Sequence, residues 1–390
     1  MPKDTMTAEQ RLQTVIRLGV PDRVPVDPMI YYFAAYYANI TVHELWSDMK
    51  KYEFAINKCF NELGPWDIYY PINPISPEAY MFILPMKMKL AGLDLPPDEI
   101  NQVIEEEIMS ADEYLTFARS KTPTTFLKYI NFLSTLACRV QREQQGEGIF
   151  AKTRIIRKML KQIPVWREEF KRWQARDVAV QHGICMEAPF DTLSMSRGLV
   201  SFSYDLMDNP GPLAEVSLAL SKGYVKVGDW LTKKTGVRRV LVFCHRTSND
   251  FVSPKQFEQH AFPSLKAIVN GFVERGVTPF LHCDGNWNKN LEYLYELPKG
   301  KVVLQFDGRT DIFRAKEIIG GHCCIFGDVP ASMLAFGGKE EVTEYCKKLI
   351  EKAGKGGGFI LAAGCEVAPN ARPENVKAML DSVKKFGYYS

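Results

Sequence analysis

The feature that most constrains this chain is a recurring unit. A short apolar run, closed by Gly, Pro or Asp, is followed by a stretch with helical periodicity. Eight such runs can be counted, at Val24–Asp27, Asp67–Pro71, Ala179–Met186, Val240–Cys244, Pro279–His282, Val302–Phe306, Cys323–Phe326 and Phe359–Ala362. Runs that are apolar throughout, rather than at alternate positions, suit strands covered on both faces. The helices between them carry their own signals. Phe262–Arg275 places Leu265, Ile268, Val269, Phe272 and Val273 at helical spacing and stops at Gly276, while Arg372–Lys385 opens with Pro373 and stops at Gly387. Near the start, Thr7-Ala8-Glu9-Gln10 is a capping box ahead of Leu12, Val15 and Ile16. Strand and helix in alternation imply a parallel sheet, and eight units imply closure into a (β/α)8 TIM barrel. An open doubly wound sheet is the competing architecture, and the lack of a G-x-G-x-x-G segment after the first run counts against it.

Residues 76–164 fit the alternation least well. The stretch is rich in Met, Lys and Glu and mostly helical in pattern, so it reads as an insertion after the second strand that forms a cap. No Gly-, Ser- or Pro-rich linker sets it apart, and residues 1–390 are read as one domain. A net charge of +3, with basic residues scattered, gives no reason to expect nucleic acid. No apolar signal region opens the chain and no window has the length of a membrane span. Nine cysteines, an odd number without disulfide-type spacing, fit a reducing, cytoplasmic setting in which thiols are buried, catalytic or metal-bound.

In such barrels the reactive groups sit at the C-terminal ends of the strands. The polar residues there are Asp27, Asn73, Glu187, His245 with Asp250, His282 with Asp284, Asp307, Asp328 and Cys365. The sharpest local pattern is Phe280-Leu281-His282-Cys283-Asp284-Gly285. Side chains alternate along a strand, so His282 and Asp284 point one way and Cys283 the other. Cys365 follows the last run, and its loop can meet theirs over the barrel mouth. His282, Asp284 and Cys365 would then be three zinc-type ligands with one position left open. The spacing equally admits a buried histidine that caps a helix, beside an inert thiol. Glu187, Asp250 and Asp307 are the candidate catalytic carboxylates, and Glu187 or Asp307 is also a candidate fourth ligand. Asp27, Tyr31, Tyr32, Asn73 and His245 are the candidate substrate contacts. Tyr31 and Tyr32 open an aromatic cluster with Phe33, Tyr36 and Tyr37 that suits either a pocket wall or the core. Cys244 and His245, adjacent on one strand, face opposite ways and do not form a nucleophile pair. Gly354–Gly358 precedes a strand rather than a helix, so it lacks the geometry of a phosphate cradle.

Several segments, taken in order, carry a resemblance. They are Arg11-Leu12 through Pro21-Asp22-Arg23-Val24-Pro25, Ala188-Pro189-Phe190-Asp191-Thr192-Leu193, Asp208-Asn209-Pro210, Ser253-Pro254 with Phe257 and Pro263, Leu281-His282 to Gly285, Gly327-Asp328-Val329-Pro330, and Gly364-Cys365 with Pro373-Glu374-Asn375. Through them the chain resembles the uroporphyrinogen decarboxylase superfamily over nearly its full length. That resemblance implies a (β/α)8 barrel, as the strand count does. The porphyrinogen decarboxylases grip substrate carboxylates with an Arg-rich segment after the first strand. Here that place reads Asp27-Pro28-Met29-Ile30-Tyr31-Tyr32, without arginine. The cobamide-dependent methyltransferase branch instead binds zinc through H-x-C on one strand and a distant Cys. His282 and Cys365 match two of those positions, and Asp284 stands where the second ligand is Cys.

The resemblance therefore implies a zinc-dependent methyltransferase that works with a corrinoid. Exchange of a thiolate for a carboxylate leaves the metal a stronger Lewis acid, suited to a donor bound through oxygen. A methyl ether, such as a methoxylated aromatic, is the expected donor. No D-x-H-x-x-G segment is present, so the corrinoid is expected on a separate partner protein docked over the barrel mouth. Transfer in the reverse direction, to a thiol or folate, remains open at this level, as does a homodimeric assembly. A metal-independent decarboxylase of another small acid and a zinc hydrolase on the same barrel are the competing activities.

Overall fold

The computed structural model describes residues 3–72, 80, 82–119, 125–140, 146–208 and 210–389. Asn73 lies outside the described residues. Each of the eight apolar runs contains a strand. We number the strands β1 (Val26–Asp27), β2 (Ile68–Tyr69), β3 (Lys87–Lys89), β4 (Gln102–Ile104), β5 (Ala179–Val180), β6 (Ile184–Glu187), β7 (Arg239–Cys244), β8 (Thr278–Cys283), β9 (Val303–Phe306), β10 (Cys324–Val329) and β11 (Phe359–Ala363).

One parallel sheet runs in the order β1-β11-β10-β9-β8-β7-β6, and β2 pairs in parallel with β5. The short sheet closes the ring. On one side the Asp67 amide donates to the Val26 carbonyl at 3.0 Å, and on the other β5 runs on through Gln181–Gly183 into β6. The third run is thus a strand broken in two. Its first part pairs back to β2 and its second part forward to β7. At the break a Cβ on Gly183 would lie 2.3 Å from the Val237 carbonyl oxygen, so only glycine lets the chain pass that close. The result is the closed eight-membered parallel barrel that the alternation implied, with buried residues along β7, β9, β10 and β11.

Helices cover the outside. The capping box at Thr7–Gln10 is formed and opens helix Ala8–Ile16. The helix expected at Phe262–Arg275 spans Phe262–Glu274, and the last helix spans Pro373–Phe386. At the N-terminal end of the barrel, Asp67 accepts from Arg11 at 2.8 Å, from Arg23 at 2.7 and 2.8 Å and from the Val26 amide at 2.9 Å. All three side chains are buried, so this network fastens the first helix and β1 to β2.

The segment between β2 and β5 is not purely helical. It contains the antiparallel hairpin β3–β4 as well as helices Glu113–Arg119, Thr125–Arg139 and Ile149–Gln174. The last of these runs through Pro164 without ending there. No helix among the described residues is long and apolar enough to cross a membrane. None of the nine cysteines forms a disulfide.

Candidate functional site

One residue before the end of β8, His282 lies in register with Phe243 of β7 and Gln305 of β9. The alternation holds: His282 turns inward, whereas Cys283 is fully buried toward the outer layer. Asp284 continues on the inner side just beyond the strand. Its Oδ1 lies 2.9 Å from His282 Nε2. Two residues past β11, Cys365 brings its Sγ to 3.5 Å from the same nitrogen. One ligand atom from each of His282, Asp284 and Cys365 lies within 4.8 Å of the others. At ordinary zinc–ligand bond lengths a tetrahedral site has N–S edges of about 3.5 Å and N–O edges of about 3.4 Å. The N–S pair already has that spacing. The N–O pair is at hydrogen-bond distance, and Asp284 would withdraw by about half an ångström to accept an ion. The donors, an imidazole, a carboxylate and a thiol, suit zinc. His282 Nδ1 is buried without a hydrogen-bond partner among the described residues. The ring is held through Nε2 by Asp284 and Cys365 and by packing against Phe243, edge-on at 5.5 Å between centroids.

His245 follows β7 directly. Its Nδ1 lies 3.0 Å from the fully buried Glu187 carboxylate at the end of β6, and its Nε2 lies 3.5 Å from Asp284. Burial alone would push the His245 pKa down. The charge and hydrogen bond of Glu187, then the charge of Asp284, more than offset this and raise it to about 9. In His282 burial again opposes protonation, and Asp284 and Cys365 outweigh it, so its pKa is raised. Asp284 is shifted the other way: burial raises its pKa, but His282 and then His245 bring it below the ordinary value.

These groups share one cavity of about 300 Å³. Tyr31, Tyr32, His245, His282, Asp284 and Cys365 all line it, so six of the residues singled out from the sequence meet there. The rest of the aromatic cluster does not: Phe33 is in the core, Tyr36 is exposed, and the Tyr37 hydroxyl donates to Glu62. Glu187 stands behind His245. Asp27 is fully buried, accepts from the Met29 amide and from Gln181 Nε2 at 3.0 Å each, and does not line the cavity. Asp250 accepts from the Asn286 amide at 3.0 Å, and Asp307 accepts from the amides of Gly285 at 2.7 Å and Arg309 at 2.8 Å. Neither lines the cavity; both brace the loop that follows Asp284. Asp328, at the end of β10, accepts from the Tyr345 hydroxyl.

The cavity also contains residues the sequence did not mark. Trp46, Tyr70, Tyr80, Met86 and Met195 add apolar wall, the first four from the chain before or within the long insertion. Glu366, next to Cys365, presents a carboxyl group that accepts from the Tyr70 hydroxyl at 3.3 Å. Burial raises its pKa to about 7 against the opposing pull of Tyr70 and His282. Its one sequence signal is its place just past the last strand. No Lys or Arg lines this cavity among the described residues. Arg246, the nearest cation in sequence to His245, is buried and turned to Ser194 and Glu105 instead.

Comparison with known proteins agrees with this architecture. A methyltransferase from Methanosarcina mazei superposes with a TM-score of 0.69 over 98% of this chain and 99% of its own, at 17% identity, which establishes the shared fold. Among curated proteins, a uroporphyrinogen decarboxylase of Geobacter sulfurreducens is 23% identical over 152 residues, 39% of this chain and 43% of that protein. A methylcobamide:CoM methyltransferase, MtbA, of Methanosarcina mazei is 25% identical over 175 residues, 45% of this chain and 48% of that protein. The chain thus spans about half the length of the curated relatives it matches. The family model described as uroporphyrinogen decarboxylase (URO-D) matches residues 154–386, more than half of the sequence, and the chain belongs to that family.

Proposed function

We propose that this protein is a methyltransferase that moves a methyl group between a small substrate, favoured as an O-methyl donor such as a methoxylated aromatic, and a corrinoid carried by a separate protein. The reading rests on the meeting of His282 Nε2, an Asp284 oxygen and Cys365 Sγ in the wall of an aromatic-lined cavity. Zinc held by these three would supply Lewis-acid polarisation of the donor oxygen, while the corrinoid exchanges the methyl group. The protein's own residues do the rest. Tyr31, Tyr32, Tyr70 and Phe243 present faces and edges between which an aromatic ring can be held against the ligand cluster. His245, protonated and anchored by Glu187, can give the proton on Nε2 to the oxygen that keeps the electron pair when the methyl group leaves. Glu187 is in this reading a positioning residue, and Asp250 and Asp307 hold the loop that carries Asp284.

Decarboxylation of a porphyrinogen fits the cavity less well. A polycarboxylate would meet no lysine or arginine there among the described residues, and about 300 Å³ is at the lower limit of pockets that enclose drug-sized ligands. Elemental analysis of protein purified under reducing conditions tests the proposal. Near-stoichiometric zinc is expected in the unmutated protein, with loss in His282→Ala and Cys365→Ala. Addition of cobalt(I) corrinoid and methyl ethers should then change the cobalt absorption spectrum. Unmutated protein without zinc, or with no spectral change for any O-, N- or S-methyl donor, would remove the basis of the reading.

A further inference from the structure

Among the described residues that line the cavity there is no Lys or Arg to meet an anionic ligand. His245 lines the open space and lies between the Glu187 and Asp284 carboxylates at 3.0 and 3.5 Å. A divalent ion at His282, Asp284 and Cys365 would be balanced by one carboxylate and one thiolate. What remains is Glu366. Its carboxyl group has one hydrogen bond, from Tyr70 at 3.3 Å, and lines the cavity with lone pairs still free. The surrounding wall is Tyr31, Tyr32, Trp46, Tyr80 and Phe243. In sequence the segment Asn73–Ala79, which precedes Tyr80, holds no Lys or Arg. A ring bearing a carboxylate would therefore be buried beside a second carboxyl group, with no Lys or Arg among the described lining residues to pair with it. A neutral ring bearing a hydroxyl would meet the opposite situation, since a Glu366 oxygen can accept a hydrogen bond from it.

We propose that the methyl donor taken by this cavity is an uncharged phenolic methyl ether rather than a methoxylated aromatic acid, and that Glu366 sets this choice. This deepens the methyltransferase reading and rests on it. The experiment separates the two. Binding to the metal-loaded protein is followed by quenching of the intrinsic fluorescence, to which Trp46 in the wall contributes, with three probes: 2-methoxyphenol, 4-hydroxy-3-methoxybenzoate and the methyl ester of that acid. The phenol and the ester should bind about tenfold or more tightly than the acid at neutral pH. Glu366→Gln should narrow that gap, and Glu366→Lys should favour the acid. If the acid binds as well as its ester, or if the gap survives in Glu366→Gln, the assignment to Glu366 is overturned. Should Glu366→Lys fail to fold, the acid–ester pair on unmutated protein and Glu366→Gln decide the matter alone. If none of the three probes binds, the aromatic methyl-ether reading itself falls, and the choice of donor with it.

Discussion

At the scale of single residues, the site depends on carboxylates held in different states. Glu187 and Asp284 flank His245, whereas Asp27 forms no ion pair among the described residues. Fully buried, with only the Met29 amide and Gln181 as partners, Asp27 has its pKa pushed up from 3.8 to about 8. The folded protein therefore keeps a proton that the unfolded chain releases above about pH 4. Stability from this group is complete below that pH and is lost as pH rises through about 8. Urea denaturation across this range should show a decline that Asp27→Asn makes shallower, by at most about 1.4 kcal/mol per pH unit. An unchanged slope in the variant would show that Asp27 is ionised in the fold. That His282 and Asp284 share a face was legible in the sequence because side chains alternate along a strand, whereas the place of Cys365 beside them was suggested by its position after the last run and by the family resemblance. Glu366 was not, because its role depends on Tyr70 and on a wall built by distant chain. Asp27, Asp250 and Asp307 look alike in sequence, since any carboxylate at a strand end can brace backbone amides instead of facing a ligand.

At the scale of elements, the eight strands were legible because each is apolar on both faces and bounded by turn residues. The break in the third was not, since its cause is the close approach of Gly183 to Val237 across the sheet. The β3–β4 hairpin was also missed. Lys87–Lys89 and Gln102–Ile104 are partly or fully exposed and carry no apolar alternation. The helix through Pro164 overrides the local breaker: Met159, Ile163, Trp166 and Phe170 are buried on both sides of it. The turn after β8 has one strict requirement. Gly285 has φ +79°, and a Cβ there would lie 2.5 Å from Ser248 Oγ and 2.7 Å from Asp250 Oδ2. Gly285→Ala should cost about 1–3 kcal/mol in thermal or urea denaturation. It should also weaken metal binding in a competitive chelator titration, because Asp284 precedes the turn. Metal affinity equal to that of the unmutated protein would mean that the turn does not position Asp284.

At the scale of the whole molecule, barrel closure rests on a narrow seam where β1 and β2 meet, each only two residues long. Asp67 compensates by joining Arg11, Arg23 and the Val26 amide. Asp67→Ala would take from two buried guanidinium groups the carboxylate they share, leaving Arg11 with Asp22 at 2.7 Å and Arg23 with the half-exposed Asp4 at 2.9 Å. A loss of about 3–5 kcal/mol is expected by equilibrium unfolding, and a loss below about 1 kcal/mol would mean that the seam is held elsewhere.

The thiol of Cys365 arrives 83 residues after His282, from the strand that also neighbours β1, with β9 and β10 between the two ligand-bearing strands. An ion gripped by both would act as a rivet across the barrel's open end, shortening the loops available to the unfolded chain. Stripping it would loosen two remote stretches of backbone in one event. An ion in the role proposed for it would then also keep the far wall from drifting away from the bound substrate.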